Sequence, residues 1–144
     1  MFSKACEYGI RASIYITLKS LQNVRVSLKD IAKEIDSPEA FTAKILQQLA
    51  KSKIIDSVKG PSGGFDINKK KIETITLTEI VKAIDGDSIF EGCGLGLKKC
   101  SEKHPCPVHN KFKKVREDLK KMIDTTTLYE LSLGLKDGST FLKH

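Results

Sequence analysis

The chain has 144 residues, of which 40% are hydrophobic, so it can form one domain with a modest core and an appended arm. Its formal net charge of +7 favours a polyanionic partner, although a basic protein without such a partner is the alternative. Six phenylalanines, three tyrosines and no tryptophan are few for stacking on single strands, so double-stranded DNA is the expected partner. No apolar run could cross a membrane and no secretory cleavage pattern occurs, which makes a cytoplasmic location the default expectation.

Two helices are predicted before residue 36. The first covers residues 2–22, in which Cys6 is expected to pack as a small hydrophobic side chain and Glu7 to be solvated. Ser27 can cap the second helix, because a serine oxygen accepts a hydrogen bond from a free N–H at a helix start. Apolar residues at i, i+3, i+4 and i+7 then define one buried face, namely Leu28, Ile31, Ala32 and Ile35.

A third helix is predicted to follow, with Ser37 as its cap and Pro38 at its first position, where a missing N–H does no harm. The helix extends to about Ser52, and its expected buried stripe is Phe41, Ile45, Leu46 and Leu49. Two short helices joined by a tight turn form a helix-turn-helix, which binds DNA through its second helix.

The outer face of the third helix is the candidate DNA-reading surface. Small side chains near the helix start permit close approach to a groove, and Lys44 and Gln47 can reach base edges or phosphates. Lys51 is better placed for phosphate. The whole face consists of Ala40, Ala43, Lys44, Gln47 and Lys51. An ordinary solvated helix face is the alternative for this segment taken alone.

A β-hairpin is predicted after the third helix. Residues 54–59 favour extended structure, residues 60–64 form a glycine-rich turn, and residues 65–67 alternate apolar and polar. A hairpin in this position is the wing of a winged helix, and its tip could contact the phosphate backbone or enter the minor groove. The candidate tip contacts are Lys59, Gly60, Ser62 and Gly63. The lysine run at 69–71 is more typical of a solvated surface.

A fourth helix is expected to begin at a capping box formed by Thr76 and Glu79 and to end at Gly86. Its buried residues are predicted to be Leu77, Ile80, Val81 and Ile84.

Residues 93–109, CGLGLKKCSEKHPCPVH, hold three of the four cysteines and two of the three histidines. Glycine, lysine and proline between them indicate a loop. Thiolate and imidazole donors suit iron–sulfur clusters, zinc or copper. Three cysteines followed by a histidine three residues after the last form a plausible set of four donors: Cys93, Cys100, Cys106 and His109. Such spacing in a cytosolic chain favours metal binding, and a loop of free or oxidised cysteines is the alternative.

The longest periodic segment, residues 108–124, has apolar residues spaced by four and three with charged residues between them. This heptad seam favours pairing with a second copy of the helix, and packing on its own domain is the alternative. The seam is Val108, Phe112, Val115, Leu119 and Met122. A short amphipathic segment at 128–133 is expected to end at Gly134, and residues 135–144 are expected to form a flexible tail.

The predicted fold class is therefore mainly α with a small β-hairpin: a winged helix-turn-helix plus a long C-terminal dimerisation helix. The expected divisions are a DNA-binding domain at 1–86, a cysteine loop at 87–107, the dimerisation helix with the short helix after it at 108–134, and the tail. An enzyme is not expected, because no nucleophile–base motif occurs and the glycines at 60–64 do not precede a helix, as a phosphate loop requires.

The order of these elements resembles the Rrf-type family of bacterial winged-helix regulators. The resemblance runs from residues 7–12 (EYGIRA) to residues 128–131 (LYEL), and its most specific parts are residues 58–65 (VKGPSGGF) and the cysteine triplet. It implies a homodimeric DNA-binding transcription regulator. In cluster-bearing members the three loop cysteines bind a 2Fe–2S or 4Fe–4S cluster.

The same resemblance leaves the fourth ligand open. In IscR-like members it is a histidine at the place of His109, and in NsrR-like members it is a carboxylate from the other subunit, near the place of Glu7. The implied function is a repressor whose operator affinity depends on the cluster and senses cluster supply, redox state or nitric oxide. The alternatives are a cluster-free regulator that uses the loop cysteines for thiol redox or zinc sensing, and a protein-interaction module.

Overall fold

The computed structural model describes residues 1–144 and confirms the mainly helical class with one small β-hairpin. No helix combines the length and apolar character needed to cross a membrane. In chain order the elements are α1 (Lys4–Leu21), α2 (Leu28–Glu34), α3 (Glu39–Lys51), β1 (Asp56–Val58), β2 (Gly64–Asp66), α4 (Lys69–Ile72), α5 (Leu77–Asp85), α6 (Ser88–Glu91), α7 (His109–Thr125) and α8 (Leu128–Lys136).

Helix α1 lies at the centre of the core. Ser3 caps it by accepting a hydrogen bond from the Cys6 N–H at 3.0 Å. The helix packs against α3, α5 and α8, and its Ile16 is completely buried. The remaining large buried side chains come from both halves of the chain and include Ile31, Ile35, Ile45, Leu46, Leu49, Ile80, Ile123 and Leu128. One hydrophobic cluster therefore joins the helix-turn-helix to the C-terminal helices.

Helices α2 and α3 form the helix-turn-helix. Ser27 accepts a hydrogen bond from the Asp30 N–H at 3.1 Å, which confirms its capping role. The prediction that Ser37 caps α3 and Pro38 begins it is wrong. Pro38 has extended backbone and α3 begins at Glu39, while the Ser37 hydroxyl hydrogen-bonds to the Thr42 hydroxyl. The Ser37 hydroxyl therefore bonds to a side chain in the first turn of α3, and not to one of the free backbone N–H groups there.

Strands β1 and β2 form the predicted wing, an antiparallel pair with Ser57 opposite Phe65. Two backbone hydrogen bonds attach the wing to the body, from the Val26 N–H to the Phe65 carbonyl at 3.1 Å and from the Phe65 N–H to the Val26 carbonyl at 2.8 Å. Gly64 permits this approach, because its φ is +138° and a Cβ there would lie 2.6 Å from the Val26 carbonyl oxygen.

Helix α5 runs from Leu77 to Asp85 with Gly86 as its C-cap, as predicted, but the predicted capping box is wrong because the Thr76 side chain makes no capping hydrogen bond. Instead, Thr76 forms an isolated antiparallel β-bridge with Thr127, and the Leu77 N–H donates to the Thr126 carbonyl at 3.0 Å. The short helix α4 was not predicted. The Asn68 side chain caps it by accepting a hydrogen bond from the Lys70 N–H at 2.9 Å.

The C-terminal region differs from the prediction in its last residues. The prediction that Gly134 ends the final helix is wrong, since α8 continues to Lys136. The chain turns at Gly138, where φ is +79°, and the N–H groups of Ser139 and Thr140 donate to the Gly134 carbonyl at 3.1 and 3.2 Å. Leu142 then packs against the core. The residues expected to form a flexible tail therefore contact the domain.

Candidate DNA interface and cysteine loop

The structure places the candidate reading residues on the outer side of α3. Four of them are exposed, Ala40, Lys44, Gln47 and Lys51, and Ala43 is half-buried. Lys44, Gln47 and Lys51 line the same shallow groove between α3 and α1. Three long polar side chains are therefore available to a partner along one face, with small residues near the N-terminal end of the helix, as an interface in the major groove requires.

The tip of the wing is also accessible, with Lys59, Gly60 and Ser62 exposed and Gly63 half-buried. Gly60 has a φ of +102° and no atom lies within 4 Å of where its Cβ would be, so the backbone can lie close to a phosphate there. The Gly63 N–H is already used within the turn, because it donates to the Gly60 carbonyl at 2.9 Å. The groups of the tip that are available to a phosphate are therefore the Lys59 ammonium and the Ser62 hydroxyl rather than the Gly63 N–H.

Arg25, which the sequence analysis did not select, lies at the base of the wing. Its Nε is 2.9 Å from a carboxylate oxygen of Asp66, and Asp66 is paired across the strands with Asp56. The arginine therefore offsets the repulsion between two carboxylates on neighbouring strands. Alternating apolar and polar residues at Val24, Arg25 and Val26 are the sequence signal for an extended segment that could have revealed it.

Two substitutions in α3 should separate base contact from phosphate contact. Gln47→Ala is expected to weaken binding to the preferred duplex by about 1–3 kcal/mol and to relax preference at one base pair. Lys51→Ala is expected to weaken all duplexes alike and to reduce the slope of log K against log salt by about one. Anisotropy titrations with a selected and a scrambled duplex over several salt concentrations measure both effects. Equal behaviour of the two variants would contradict the assignment.

The three loop cysteines are unpaired and half-buried, and they lie between α6 and α7. Backbone N–H groups of Leu95 and Leu97 and the Cys106 thiol hydrogen-bond to the Cys93 sulfur and hold the pKa of Cys93 below its ordinary value. The Leu95 N–H to Sγ distance is 3.4 Å. Cys93 and Cys106 are therefore neighbours, in an environment that favours the thiolate form.

The other two predicted donors form a second pair. Cys100 Sγ lies 3.4 Å from His109 Nδ1, and His109, the first residue of α7, is 7% exposed. The His109 N–H donates to the Cys106 carbonyl at 3.0 Å, so the two pairs adjoin. No three metal-binding side chains in the chain come close enough together to hold a metal ion. The structure thus brings the predicted donors together as two pairs rather than as one closed set.

Side chains of α7 hold the loop in place. Arg116 donates from Nη1 to the Gly92 carbonyl at 2.7 Å, and the Phe112 ring lies against Gly94, so both neighbours of Cys93 contact α7. Farther along the loop, Lys113 and Glu102 form an ion pair of 2.6 Å. Their hydrogen bond lowers the pKa of the Glu102 carboxyl and raises the pKa of the Lys113 ammonium. Loop and helix therefore form one structural unit.

The predicted seam of α7 is only partly covered within one chain. Val115 is 52% exposed and Met122 47% exposed, and Val108 is exposed as well. Phe112 and Leu119 are half-buried and line a cavity of about 280 Å³ that also includes Cys93. Phe112 thus contacts the cysteine loop in addition to lying on the seam. The role of these five residues in dimerisation stays a prediction.

Glu7 and Cys6 lie on α1 and not with the loop donors. Glu7 is half-buried and its carboxylate is 3.0 Å from the Lys4 ammonium. Cys6 is completely buried, and burial together with the carboxylates of Asp85 and Glu7 raises the pKa of its thiol to about 12. This supports the predicted packing role of Cys6.

Thiol labelling should distinguish Cys6 from the loop cysteines. At about pH 8 Cys6 stays a neutral, buried thiol, because its thiolate forms only as the pH approaches about 12. Iodoacetamide added to native, metal-free protein is expected to modify Cys93, Cys100 and Cys106 and to reach Cys6 only after unfolding, as counted by peptide mass spectrometry. Modification of all four cysteines at one rate would contradict the burial of Cys6.

Comparison with known proteins assigns these features to a family. A family model described as "Rrf2: Iron-dependent Transcriptional regulator" matches residues 2–133. The chain belongs to the Rrf2 family. It is also 33% identical over 133 residues to a protein of Aquifex aeolicus (strain VF5) named as an HTH-type transcriptional regulator, across 91% of this chain and 90% of the relative. The Rrf2 family is the one that the sequence resembles, so that expectation is confirmed.

Solved structures share the Rrf2 fold. CymR of B. subtilis, described as a global cysteine regulator, superposes with a TM-score of 0.73 at 21% identity, covering 92% of this chain and 96% of CymR. IscR of T. potens gives a TM-score of 0.71 at 22% identity, covering 96% of this chain and 88% of IscR. The chain is thus a winged-helix, DNA-binding transcriptional regulator of the Rrf2 family, and the prediction that it is not an enzyme is confirmed.

Proposed function

We propose that this Rrf2-family chain is a homodimeric repressor whose affinity for duplex DNA is controlled by an iron–sulfur cluster, in response to cluster supply, redox state or nitric oxide. The observation that carries the proposal is that three cysteines of the loop and His109 at the start of α7 are near one another, while α7 side chains contact both neighbours of Cys93. The description of the family as iron-dependent supports iron over other metals.

The donor set fits such a group by its chemistry, since thiolates with one imidazole or carboxylate are ligands of iron–sulfur clusters. Cys93, Cys100 and Cys106 would hold the cluster, and His109 or a Glu7 carboxylate would be the fourth ligand. When bound, the cluster supplies a redox-sensitive inorganic centre. Because the donors lie as two pairs in this structure, closing the set around a cluster involves movement of the loop.

The loop can affect DNA binding through α7. Arg116 and Phe112 contact the residues on either side of Cys93, so the position of Cys93 and the position of the α7 side chains depend on each other. The exposed seam residues Val115 and Met122 would pair with a second copy. The dimer would then fix the spacing of two wings and two α3 helices for half-sites about one helical turn apart, or a multiple of it. A loop state that favours one spacing changes operator affinity by linkage.

A visible spectrum under exclusion of oxygen tests the proposal. Protein purified anaerobically should be brown, Cys100→Ser should remove the visible absorption, and Cys6→Ala should keep it because Cys6 lies outside the loop. Iron and acid-labile sulfide are measured on the same samples. If reconstituted protein stays colourless and binds zinc instead, the cluster proposal fails and DNA binding by the Rrf2 chain is unaffected.

Thiol chemistry without a cluster is the second candidate, and the lowered pKa of Cys93, to which the Cys106 thiol contributes, favours it. Peroxide would oxidise the two thiols to one disulfide and would itself be reduced to two waters. Cluster-free protein whose operator affinity changes on peroxide treatment, with the change lost in Cys106→Ser, would select this function. Zinc bound by the same donors would instead appear as metal content without visible absorption.

A further inference from the structure

Arg11 of α1 contacts the turn of the helix-turn-helix and the C-terminal tail at once. Its Nη1 donates to the carbonyl of Ile35 at 2.9 Å and to the carbonyl of Leu142 at 3.1 Å. Ile35 is the C-cap of α2, where carbonyl groups lack partners within the helix. Arg11 therefore satisfies a backbone group at the first residue of the turn that leads to α3.

The same guanidinium reaches the other end of the turn through two aromatic rings. It lies 4.8 Å from the centre of the Tyr8 ring. Tyr8 contacts Phe41 edge to face, with ring centres 5.7 Å apart and planes at 79°. Phe41 is in the first turn of α3, the helix that carries the candidate reading face. Arg11 thus contacts the end of α2 directly and the start of α3 through Tyr8.

The tail completes this arrangement from the outside. Leu142 is half-buried against the core while its carbonyl accepts from Arg11, and the Lys143 ammonium donates to the Lys33 carbonyl at 3.2 Å. Two cationic groups, from α1 and from the tail, therefore meet the C-terminal carbonyls of α2, where positive charge is favourable.

We infer that Arg11 is a positioning residue for sequence-specific DNA recognition, and that the tail assists it by holding the guanidinium and the end of α2 together. Base-edge hydrogen bonds require the side chains of α3 to be placed to within about 0.5 Å. Phosphate attraction from exposed lysines tolerates larger shifts. Loss of the Arg11 contacts should therefore reduce preference for the correct sequence more than general affinity. The inference rests on DNA binding by this family and does not depend on the cluster.

The test compares three variants in cluster-free protein, so that failure of the cluster proposal leaves it intact. Arg11→Gln removes the charge and the stacking, and a chain ending at Thr140 removes the tail contacts. Lys19→Gln is the matched control, because Lys19 is also on α1 and lies 5.7 Å from the centre of the Tyr15 ring, yet its ammonium makes no hydrogen bond to the turn or the tail. Affinity is measured for a duplex selected from a random library by the unaltered chain and for a scrambled duplex, together with thermal unfolding.

We expect Arg11→Gln to lower the ratio of selected to scrambled affinity about tenfold, and the shortened chain to lower it in the same direction by about threefold. Lys19→Gln should leave the ratio unchanged, and affinity for the scrambled duplex should stay constant in all three. An unchanged ratio in the shortened chain and in Arg11→Gln would overturn the inference, as would an equal loss on both duplexes. Should Arg11→Gln fail to fold, the shortened chain decides between these outcomes.

Discussion

Val115→Glu is expected to separate the two chains of the proposed dimer without unfolding either of them. The Val115 side chain is 52% exposed in one chain, so a carboxylate at this position stays hydrated in the monomer. Between paired α7 helices the same carboxylate would be buried without a partner, which costs about 3–5 kcal/mol per uncompensated charge. The dimer dissociation constant should therefore rise by at least about a hundredfold, as measured by sedimentation equilibrium.

Asn110→Glu is the control for this change. Asn110 is exposed on the same helix and is not a seam residue, and its replacement by Glu changes the charge by the same amount as Val115→Glu. It should leave both dimerisation and binding to a two-half-site duplex intact, while Val115→Glu should bind only as a weak monomer. If Val115→Glu sediments as the same dimer as Asn110→Glu, the α7 seam is not the interface and the proposed dimer is wrong in its geometry.

Gly64→Ala is expected to detach the wing. An alanine must adopt the φ of +138° and place its Cβ 2.6 Å from the Val26 carbonyl oxygen, which the backbone cannot accept without moving. The strain and the loss of the two hydrogen bonds between Val26 and Phe65 together amount to about 2–5 kcal/mol. The helical core does not depend on these bonds, so operator affinity should fall by at least about tenfold while most helical circular dichroism remains.

Gly60→Ala separates backbone strain from displacement of the wing. Gly60 also has positive φ, at +102°, but a Cβ there meets no atom within 4 Å. This variant should lose less stability and keep slow hydrogen exchange at the Val26 and Phe65 amides, which should become fast in Gly64→Ala. Equal exchange rates in the two variants would contradict the view that Gly64 is needed for contact with Val26.

The elements that could be predicted from the sequence are those set by local pattern. Apolar periodicity located the helix-turn-helix, and the glycine-rich turn between β-prone segments located the wing. Capping was less predictable, because Ser27 caps α2 whereas Ser37 bonds to Thr42, and either bond suits a serine beside a helix start. Gly134 shows the same limit, since a glycine inside a helix that packs on α1 does not have to end it.

The contacts that join distant parts of the chain could not be predicted in this way. Arg11 and Leu142 are 131 residues apart in sequence, and nothing in either local pattern indicates their hydrogen bond. In the cysteine loop, composition predicted the four donors, but no local pattern indicated that Cys100 would lie beside His109 or that Arg116 and Phe112 would contact the neighbours of Cys93. Donor identity is a property of composition, while donor geometry is a property of the packed structure.

We propose that the cysteine loop, through a bound cluster, sets the affinity of the proposed dimer for DNA. The most direct measurement is the dissociation constant for the selected duplex, determined without oxygen for cluster-bearing protein and for the same preparation after removal of iron. We predict binding at least about tenfold tighter with the cluster, a difference that Cys100→Ser abolishes. Equal dissociation constants for the two forms would contradict the claim.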